Sequence, residues 1–481
     1  MLTGAQTLIW PVQCEVPVTR PEVTPALAEL AAAARPGEAE RHRARLLLAD
    51  YLAVAGTGAG ADSARVARET LLARSAGPAP VLGTGQTAAV RDAALVNGIS
   101  AHSIELDDTH EPSSSHPGTV IWTALMAATA GAADTPRAPV TTAVLDSAVA
   151  GYQVMASLGE LLGPAELYRQ GLHPTAVCGV FGATAAVARL AGLDAAGVRA
   201  AFGIALSLSA GSMAYLSDGA WTKRFHSGSA AAGGILAAEL AAGGFTGPAD
   251  AFGDPYGLMH IYGGIRPQAR AEAVLAHAAG LPAVHETSVK FHPCCRYMHG
   301  VMDLLAAYRS EGGRAEGITR IDCGVLSGGM GLVGEPAGRK RTVASMVDAQ
   351  FSMPFGAALT LSRGASSLAD FQDAGRLATE LQPLMDLTWM HTSAELDAAY
   401  PARWGAEVTL SFDDGETVEL RTPAFRGSPG WPAGRPEIEA KAAGLLGKAA
   451  AERLFAAVDA LAMDEAFDPG VVALAARTGS P

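Results

Sequence analysis

The sequence predicts a mainly α protein that consists of a large all-helical domain and a smaller α+β domain. Apolar residues recur at helical spacing from Pro21 to about Gly264, and alternating strand patterns follow that point. A helical pattern then returns, and 481 residues exceed the size at which one hydrophobic core usually stops growing. We therefore assign residues 1–266 and 426–481 to the helical domain and residues 267–425 to the α+β domain.

The helical elements are delimited by apolar stripes and by stop signals. From Glu38 to Val54, residues such as Leu47 and Tyr51 form an apolar stripe with charges on the opposite face. A second helix is expected at Thr87–Ser100, where Asn97-Gly98 is a stop signal. Further helices are expected at Ile121–Ala133, Val144–Leu162, Val177–Leu190 and Ser229–Ala242, the last closed by Gly243-Gly244.

Strand patterns are confined to the proposed α+β domain. Gly317–Val325 alternates apolar and polar residues, which predicts a strand. Alternation over 408–412 and again over 418–420, with Asp414-Gly415 between them, predicts a hairpin. The stretch Arg426–Arg435 is rich in Gly and Pro and predicts a connection, after which Pro436–Leu461 is again helical.

Composition excludes several classes of function. Hydrophobic residues make up 49% of the chain and charged residues 17%, which is typical of a globular protein rather than a disordered one. The net charge of −13 lacks the basic footprint of a nucleic-acid binder, although local cations still allow a small anionic substrate. The absence of a Walker loop, a dinucleotide fingerprint, a Gly-x-Ser-x-Gly elbow and an EF-hand argues against nucleotide- or NAD-dependent chemistry.

Several features predict a cytoplasmic protein without a membrane span. Met1–Pro11 has no basic region followed by an apolar run, so we expect no signal peptide. The uncharged run Ala200–Ser217 reaches spanning length, but Gly203 and Gly211 interrupt it, so we interpret it as a buried helix or helix pair. An odd, sparse set of cysteines indicates reduced thiols; they are Cys14, Cys178, Cys294, Cys295 and Cys323.

The segment 102–118 concentrates carboxylates, hydroxyls and imidazoles, and it is too polar for a core. Pro112 and Pro117-Gly118 predict a loop, which is either solvated and N-capping or part of a site. His110-Glu111 is similar to part of a zinc-protease helix, but Pro112 prevents that helix, so we predict no metal site. The candidate site residues in this segment are Glu105, Asp107, Asp108, Thr109 and His116.

Three later clusters add candidates, each with a structural alternative. His173 precedes a predicted helix and is a capping, core or functional histidine. Lys223 and His226 lie three residues apart, on one face if this segment is helical, and Lys223 is a counter-ion for a carboxylate or a surface lysine. Arg296 offers a planar fork that fits a carboxylate, or it is ion-paired at the surface. The adjacent Cys294-Cys295 lacks a thiol-activating motif, so we expect packing residues there.

An ordered series of short motifs runs along the chain: Asn97-Gly98, Ala101-His102, Asp107-Asp108-Thr109, His116-Pro117-Gly118, Gly151-Tyr152, Gly171–Thr175, Thr222-Lys223, His226-Ser227-Gly228, Gly243–Pro248, Pro293–Arg296, Asp348–Pro354 and Arg426–Pro429. Over about residues 20–465 this series resembles the MmgE/PrpD family. The resemblance implies a large helical domain completed by the C-terminus, a smaller α+β domain, a cleft between them and a homodimer. It also implies substrates with two or three carboxylates and no organic cofactor, as in 2-methylcitrate dehydratase, cis-aconitate decarboxylase and iminodisuccinate epimerase.

The resemblance also implies site residues. The pocket positions of the decarboxylase branch fall, by motif, on Glu105, Thr109, His116, His173, Lys223, His299 and Phe355. This chain has Glu105 where that branch has Asp, Phe355 where it has Tyr, and one extra residue between Thr109 and His116. The missing phenol removes a proton donor and argues against cis-aconitate decarboxylation. The sequence is closer to the generic and epimerase-like members.

The shared chemical task is removal of a proton from the carbon next to a carboxylate, which creates an enolate-like dianion. We assign carboxylate binding and charge stabilisation to Lys223 and Arg296, and proton transfer to His173 or His116. The remaining candidates orient the site, donate a second proton or contact the substrate; they are Glu105, Asp107, Asp108, Thr109, His226, His299 and Phe355.

These assignments predict a lyase, most simply a hydro-lyase (dehydratase) acting on a small di- or tricarboxylate. A cofactor-independent epimerase of an imino- or amino-dicarboxylate and a decarboxylase of an aconitate-like acid are the alternatives. A non-catalytic carboxylate-binding protein on the same fold is a further alternative.

Overall fold

A computed structural model describes residues 22–132, 138–253, 255–263, 268–400 and 402–477. Helices account for 61% of it and its sheets are few and small, which confirms the prediction of a mainly α protein. The segment Met1–Pro11, Cys14 and the predicted domain boundary at 266/267 lie outside the described residues.

The part of the chain before residue 290 is built from helices and two short strand pairs. The antiparallel pairs are β1 (Ala79–Pro80) with β2 (Thr87–Ala88), and β3 (Thr109–His110) with β4 (Thr287–Ser288). The helices are α1 (Val23–Ala33), α2 (Glu38–Gly58), α3 (Asp62–Leu72), α4 (Val90–Ala101), α5 (Pro117–Ala132), α6 (Thr141–Leu162), α7 (Pro164–Arg169), α8 (Pro174–Leu190), α9 (Ala195–Leu206), α10 (Thr222–Ala242), α11 (Leu258–Tyr262), α12 (Gln268–Gly280) and α13 (Ala283–Glu286).

One predicted helix boundary is corrected by packing. The prediction that Asn97-Gly98 ends a helix is wrong, because α4 continues through both residues. The buried side chain of Asn97 donates to the carbonyl oxygen of Pro80 at 2.8 Å instead of ending the helix. Gly98 is needed for close helix approach, since a Cβ there would lie 2.4 Å from the Cα of Gly228 in α10. The glycine signal therefore marks a helix–helix contact rather than a stop.

The long uncharged run is divided between two elements. Within Ala200–Ser217, α9 ends at Leu206 and a separate 3-10 turn covers Ala214–Leu216. Over the part of the chain that the structure describes, no helix combines the length and the apolar character that crossing a membrane requires.

A four-stranded mixed sheet lies in the second part of the chain. Its strand order is β6-β5-β7-β8, and β5 runs parallel to β6 and antiparallel to β7, which confirms the predicted strand and hairpin. The strands are β5 (Ile318–Val325), β6 (Thr388–Thr392), β7 (Ala406–Phe412) and β8 (Thr417–Thr422). The surrounding helices are α14 (His299–Ser310), α15 (Ser327–Val333), α16 (Ala337–Lys340), α17 (Met346–Gln350), α18 (Met353–Arg363), α19 (Leu368–Gln372), α20 (Ala374–Asp386) and α21 (Ala394–Ala399).

The chain returns to the first set of helices at its C-terminal end. The predicted helical pattern there is confirmed as α22 (Arg435–Leu446) and α23 (Lys448–Asp459), followed by α24 (Pro469–Ala475). On α22 the buried Nζ of Lys441 donates to the backbone oxygen of Leu106 at 2.7 Å and lies 2.7 Å from Asp50 Oδ1. Lys441 on α22 therefore fixes the backbone of the polar segment 102–118 at Leu106.

Two large hydrophobic cores are present. The first joins residues 23–289 to residues 433–476, and the second consists mainly of residues 294–425. Met213 and Tyr215 come from the helical range but pack into the second core, so they link the two parts beside the site. The two-domain arrangement with its boundaries stays a prediction.

Candidate active site

The polar segment 102–118 is buried almost throughout, so the expectation that it is too polar for a core was wrong. The exposed fraction is 0% for His102, 2% for Glu105, 3% for Asp107 and 4% for Asp108. Burial of such groups is tolerated when each is ion-paired or hydrogen-bonded. His102 and Asp107 pair with each other, whereas Glu105 and Asp108 have partners further along the chain, which a local sequence pattern does not reveal.

Glu105 lies between two lysines. Lys223, at the start of α10, donates to Oε1 of Glu105, while Lys290 donates to its Oε2 at 3.3 Å and to its backbone oxygen at 3.2 Å. Burial raises the pKa of Glu105, but the two ammonium groups outweigh it and hold that pKa far below its ordinary value. Glu105 also has a φ of 54°, a left-handed conformation that costs roughly 1–2 kcal/mol outside glycine. The surrounding ion pairs therefore fix an unfavourable backbone conformation.

Asp107 joins two imidazoles. Its Oδ2 lies 2.7 Å from Nδ1 of His102 and 3.5 Å from Nδ1 of His116. Burial raises the pKa of Asp107, but His102, His116 and Lys290 together hold it well below its ordinary value. Burial lowers the pKa of both imidazoles. The result is an ionised aspartate next to neutral histidines.

The neighbouring Asp108 has the opposite environment. Its Oδ1 accepts the backbone N–H of Gly118 at 2.8 Å and its Oδ2 accepts the hydroxyl of Tyr152 at 2.7 Å. Burial raises the pKa of Asp108 to about 7. This side chain therefore fixes the start of α5, and His116 is the residue directly before that helix.

His116 has a defined tautomer. Its Nδ1 lies 2.7 Å from the carbonyl oxygen of Asp108, which can only accept, so Nδ1 carries the proton and Nε2 keeps a lone pair. Thr109 Oγ1 lies 3.2 Å from the same nitrogen, and the backbone N–H of His116 donates to Thr175 at 3.1 Å. His116 is thus oriented as a proton acceptor through Nε2.

His173 and His226 form a second imidazole pair. His173 is the residue before α8, whose first residue is Pro174, and its Nδ1 lies 3.1 Å from Nδ1 of His226 on α10. Burial, together with His226 and Lys223, holds the pKa of His173 well below its ordinary value. Burial likewise lowers the pKa of His226 to about 4. One of these two rings must donate and the other accept, so the accepting ring is neutral, and burial disfavours the charged form of both.

The imidazoles of His102, His116 and His173 lie together. Their ring centroids are 5.0, 5.8 and 6.2 Å apart, and one ring nitrogen of each lies within 4.8 Å of the other two.

A small cavity of about 30 Å³ opens beside this cluster. It combines ionisable groups with an apolar surface. Its lining residues are Glu105, Thr109, Ser114, His116, Tyr168, His173, Met213, Tyr215, Lys223, Cys295, Arg296, Tyr297, Leu332 and Phe351.

Arg296 reaches the cavity but already has partners. Its Nε and Nη2 donate to Oε1 of Glu111 at 3.0 and 2.9 Å, and its Nη1 lies 3.0 Å from Nδ1 of His299. Nη1 also donates to the carbonyl oxygen of Arg426 at 3.1 Å. A carboxylate that binds Arg296 therefore shares it with Glu111.

Comparison with known proteins identifies the family. Residues 25–270 match the model of the MmgE/PrpD N-terminal domain, and residues 292–462 match the model of the MmgE/PrpD C-terminal domain. The chain belongs to the MmgE/PrpD family.

Similar MmgE/PrpD proteins include named decarboxylases. Cis-aconitate decarboxylase of Aspergillus terreus is 28% identical over 268 residues, which cover 55% of this chain and 54% of that protein. The cis-aconitate decarboxylase-like protein oryM of Aspergillus oryzae is 28% identical over 353 residues, 70% of this chain and 72% of that protein. Human cis-aconitate decarboxylase is 31% identical over 222 residues, 46% of this chain and 44% of that protein. The chain thus spans about half the length of the Aspergillus terreus and human proteins.

The sequence-predicted residues of this MmgE/PrpD protein occupy three kinds of position. Asp107 lies at hydrogen-bond distance from His102, and His226 from His173. The backbone oxygen of Asp108 contacts His116, and His299 contacts Arg296. Phe355 lies in the second core against Phe371, at a centroid distance of 5.5 Å. The predicted residues that line the cavity are Glu105, Thr109, His116, His173, Lys223 and Arg296.

Several residues at the site were not assigned from the sequence. Lys290 follows an ordinary strand-like stretch, and only its full burial reveals it as a partner of Glu105. Tyr215 lies in the uncharged run and Tyr168 in a short helix, where no motif marks either of them. The cavity therefore contains phenols although Phe355 replaces a tyrosine of the decarboxylase branch.

The burial of Cys294 and Cys295 fits the packing role predicted for this pair. Cys178, Cys294, Cys295 and Cys323 are free and buried, and burial raises the pKa of each thiol. A thiol with a raised pKa holds little thiolate at neutral pH and is a poor nucleophile.

Proposed function

We propose that this protein is a lyase that moves a proton at the carbon next to a carboxylate of a small di- or tricarboxylic acid. The observation that carries the proposal is the combination, around one cavity, of neutral imidazoles with the ion pair of Lys223 and Glu105. Neutral imidazoles accept protons, and a fixed ammonium stabilises the negative charge that forms when the proton leaves.

Charge balance explains how the acid binds. The cations Lys223, Lys290 and Arg296 are compensated by Glu105, Asp107 and Glu111. A dianionic substrate therefore adds uncompensated negative charge, which favours protonation of an adjacent imidazole. Lys223 and Arg296 hold the carboxylates, and the substrate raises the proton affinity of the histidine that must act as the acid.

Dehydration is the simplest reaction of this set. His173 or His116 takes the proton from carbon, and the electron pair of that C–H bond forms the double bond. The C–O bond to the hydroxyl group breaks, its electron pair stays on oxygen, and a second protonated group supplies the proton that makes the leaving group water. Thr109 and Asp107 keep the rings oriented, since they contact the Nδ1 side of His116.

Decarboxylation of an aconitate-like acid is the second candidate. The names of the similar proteins favour it, and so does the apolar surface of Met213, Leu332 and Phe351, because an apolar surface destabilises a carboxylate more than neutral CO₂. The C–C bond breaks, its electron pair stays on the substrate carbon, and a proton from an imidazolium or phenol completes the product. Tyr215 and Tyr168 are phenols of the lining.

Epimerisation of an imino- or amino-dicarboxylate uses the same first step and returns a proton to the opposite face. We further propose that the protein acts without an organic cofactor and as a homodimer, in line with the family resemblance. We also propose that it works in the cytoplasm, in line with its sparse cysteines.

A single NMR screen in deuterated water separates these reactions. Citrate, methylcitrate, cis-aconitate and iminodisuccinate are incubated in turn with the full chain. A new alkene signal indicates dehydration, loss of a carboxylate carbon indicates decarboxylation, and deuterium at a stereocentre with inversion indicates epimerisation. Absence of exchange, elimination and decarboxylation with every di- and tricarboxylate would overturn the proposed function.

A further inference from the structure

Three imidazoles from separate parts of the chain converge beside the cavity. His102 follows α4, His116 precedes α5 and His173 precedes α8, and one ring nitrogen of each lies within 4.8 Å of the other two. We infer that His102, His116 and His173 form a binding site for a divalent transition-metal ion such as Zn²⁺, and that the bound ion inhibits the enzyme. The inhibition, but not the binding, rests on the proposed function.

The outer nitrogens of two of these rings are held as metal-ligating histidines usually are. His102 Nδ1 lies 2.7 Å from a carboxylate oxygen of Asp107, and His116 Nδ1 lies 2.7 Å from the backbone oxygen of Asp108. Hydrogen bonds from Nδ1 to a carboxylate or a carbonyl orient a ligating ring and fix its tautomer. Both rings therefore keep the lone pair on Nε2.

A buried atom of the cluster lacks a partner. Nε2 of His102 is inaccessible to solvent and has no hydrogen-bond partner among the described residues. Buried polar side-chain atoms in native proteins are satisfied in the large majority of cases, so this one indicates a position for a further ligand. Metal coordination through the lone pair would satisfy it.

The protonation state and the distances agree with a borderline metal ion. Burial keeps the imidazoles neutral, and neutral imidazole is the form that coordinates Zn²⁺, Co²⁺, Ni²⁺ or Cu²⁺. Tetrahedral Zn–N bonds of about 2.0–2.1 Å require nitrogens roughly 3.4 Å apart. The three rings therefore close in by about 1.5 Å at most, and two of them, His116 and His173, line the cavity.

The electrostatic cost of a dication is limited. Lys223 and Lys290 are the cations beside the cluster, and Glu105 and Asp107 compensate both. Asp107 is also hydrogen-bonded to His102, so the negative charge of this carboxylate offsets part of the positive charge of an ion bound to that ring. A substrate-derived or solvent oxygen completes four-coordination.

Inhibition follows from competition for the same lone pairs. His116 and His173 accept the substrate proton in the proposed reaction, and a coordinated nitrogen has no lone pair left for a proton. Metal binding and proton transfer are therefore mutually exclusive at these rings.

Cobalt binding tests the site without any activity measurement. The full chain is dialysed against a chelator and titrated with Co²⁺, whose four-coordinate complexes absorb strongly in the visible range. We expect one ion per chain, a loss of affinity of about 100-fold or more in His102→Asn and in His173→Asn, and no change in His42→Asn, an exposed histidine on α2. Unchanged binding in both cluster variants, with circular dichroism like that of the wild type, would overturn the site.

An activity assay tests the inhibition. We expect Zn²⁺ to reduce turnover of the substrate found by the NMR screen, with full recovery after addition of a chelator. Loss of turnover on chelation and recovery with Zn²⁺ would contradict the inhibitory role and the imidazole mechanism together. If the NMR screen finds no reaction while Co²⁺ binds as expected, the proposed function fails and the metal site stands.

Discussion

The two walls of the cavity differ in chemistry. The N-terminal wall, formed by the lining residues between 105 and 223, contains Glu105, Lys223, His116 and His173. The C-terminal wall, formed by the lining residues between 295 and 351, has Arg296 as its charged member, and this side chain is committed to Glu111. Apolar and aromatic groups make up much of the rest of the second wall. In the proposed mechanism, proton transfer therefore belongs to the N-terminal wall, and the C-terminal wall covers the substrate and limits its size.

The difference in chemistry between the two walls has a physical cause. Ionisable groups remain functional in a buried site only when fixed partners define their protonation state. The N-terminal wall has such partners in Lys290, Asp107 and His226. They contact Glu105, His116 and His173, respectively, and do not themselves line the cavity. A wall that only excludes water needs close packing instead.

The largest effect is expected from the charge of the N-terminal wall. Lys223→Ala removes the ammonium that stabilises the developing negative charge, and we expect kcat/KM to fall by about a thousandfold. Lys290 still compensates Glu105, so the variant should fold. Steady-state kinetics on the substrate from the NMR screen measure the loss, with the exposed Lys448→Ala as the matched control. Unchanged turnover would refute the role of this lysine and weaken the contrast between the walls.

The second effect sharpens the assignment of the base. His173→Asn removes one imidazole but preserves hydrogen bonding, and we expect kcat to fall by about 100-fold. His116→Asn, measured in parallel, identifies which ring accepts the proton, because loss of the base also abolishes solvent deuterium exchange into the substrate. If both variants exchange deuterium at the wild-type rate, neither imidazole is the base.

A smaller effect is expected from the C-terminal wall. The ring centroid of Phe351 lies 5.3 Å from Nζ of Lys223. We expect Phe351→Ala to raise KM by about tenfold with a smaller change in kcat, because it enlarges the cavity and removes a cation–π contact. Phe245→Ala, at a ring that is 60% exposed, serves as control. A kcat loss as large as that of Lys223→Ala would contradict the division between the walls.

The smallest effect concerns the support of the C-terminal wall. Lys340 donates to the backbone oxygen of Leu332 at 2.5 Å, and burial lowers its pKa to about 8. Between pH 8 and the ordinary lysine pKa of about 10.4, the unfolded chain holds a proton that the folded chain has lost, so this group makes stability rise with pH. We expect the free energy of unfolding to gain about 1–2 kcal/mol from pH 7.5 to 9.5 relative to Lys340→Met.

Urea unfolding of the wild type and of Lys340→Met at both pH values measures that difference. Parallel pH dependence in the two proteins would mean that Lys340 does not titrate in this range. Lys448→Met, an exposed lysine, should follow the wild type at both pH values.

Much of the fold could be predicted because its signals are local. The apolar stripe of α2, the alternation in β5 and the turn at Gly415, with a φ of 85°, each depend on residues close in the chain. The error at Asn97-Gly98 has a tertiary cause, since these residues contact β1 and α10 rather than ending a helix. Local patterns do not distinguish a glycine that ends a helix from one that lets another helix approach.

The sequence by itself determined the mainly helical fold, the family and the candidates Glu105, His116, His173 and Lys223. Only the tertiary structure decided that the polar segment 102–118 is buried, that Arg296 is shared with Glu111, and that His102 completes a cluster of imidazoles. The physical reason is that the burial of a charge depends on its partner. For Glu105 the partners are Lys223 and Lys290, 118 and 185 residues away in the chain.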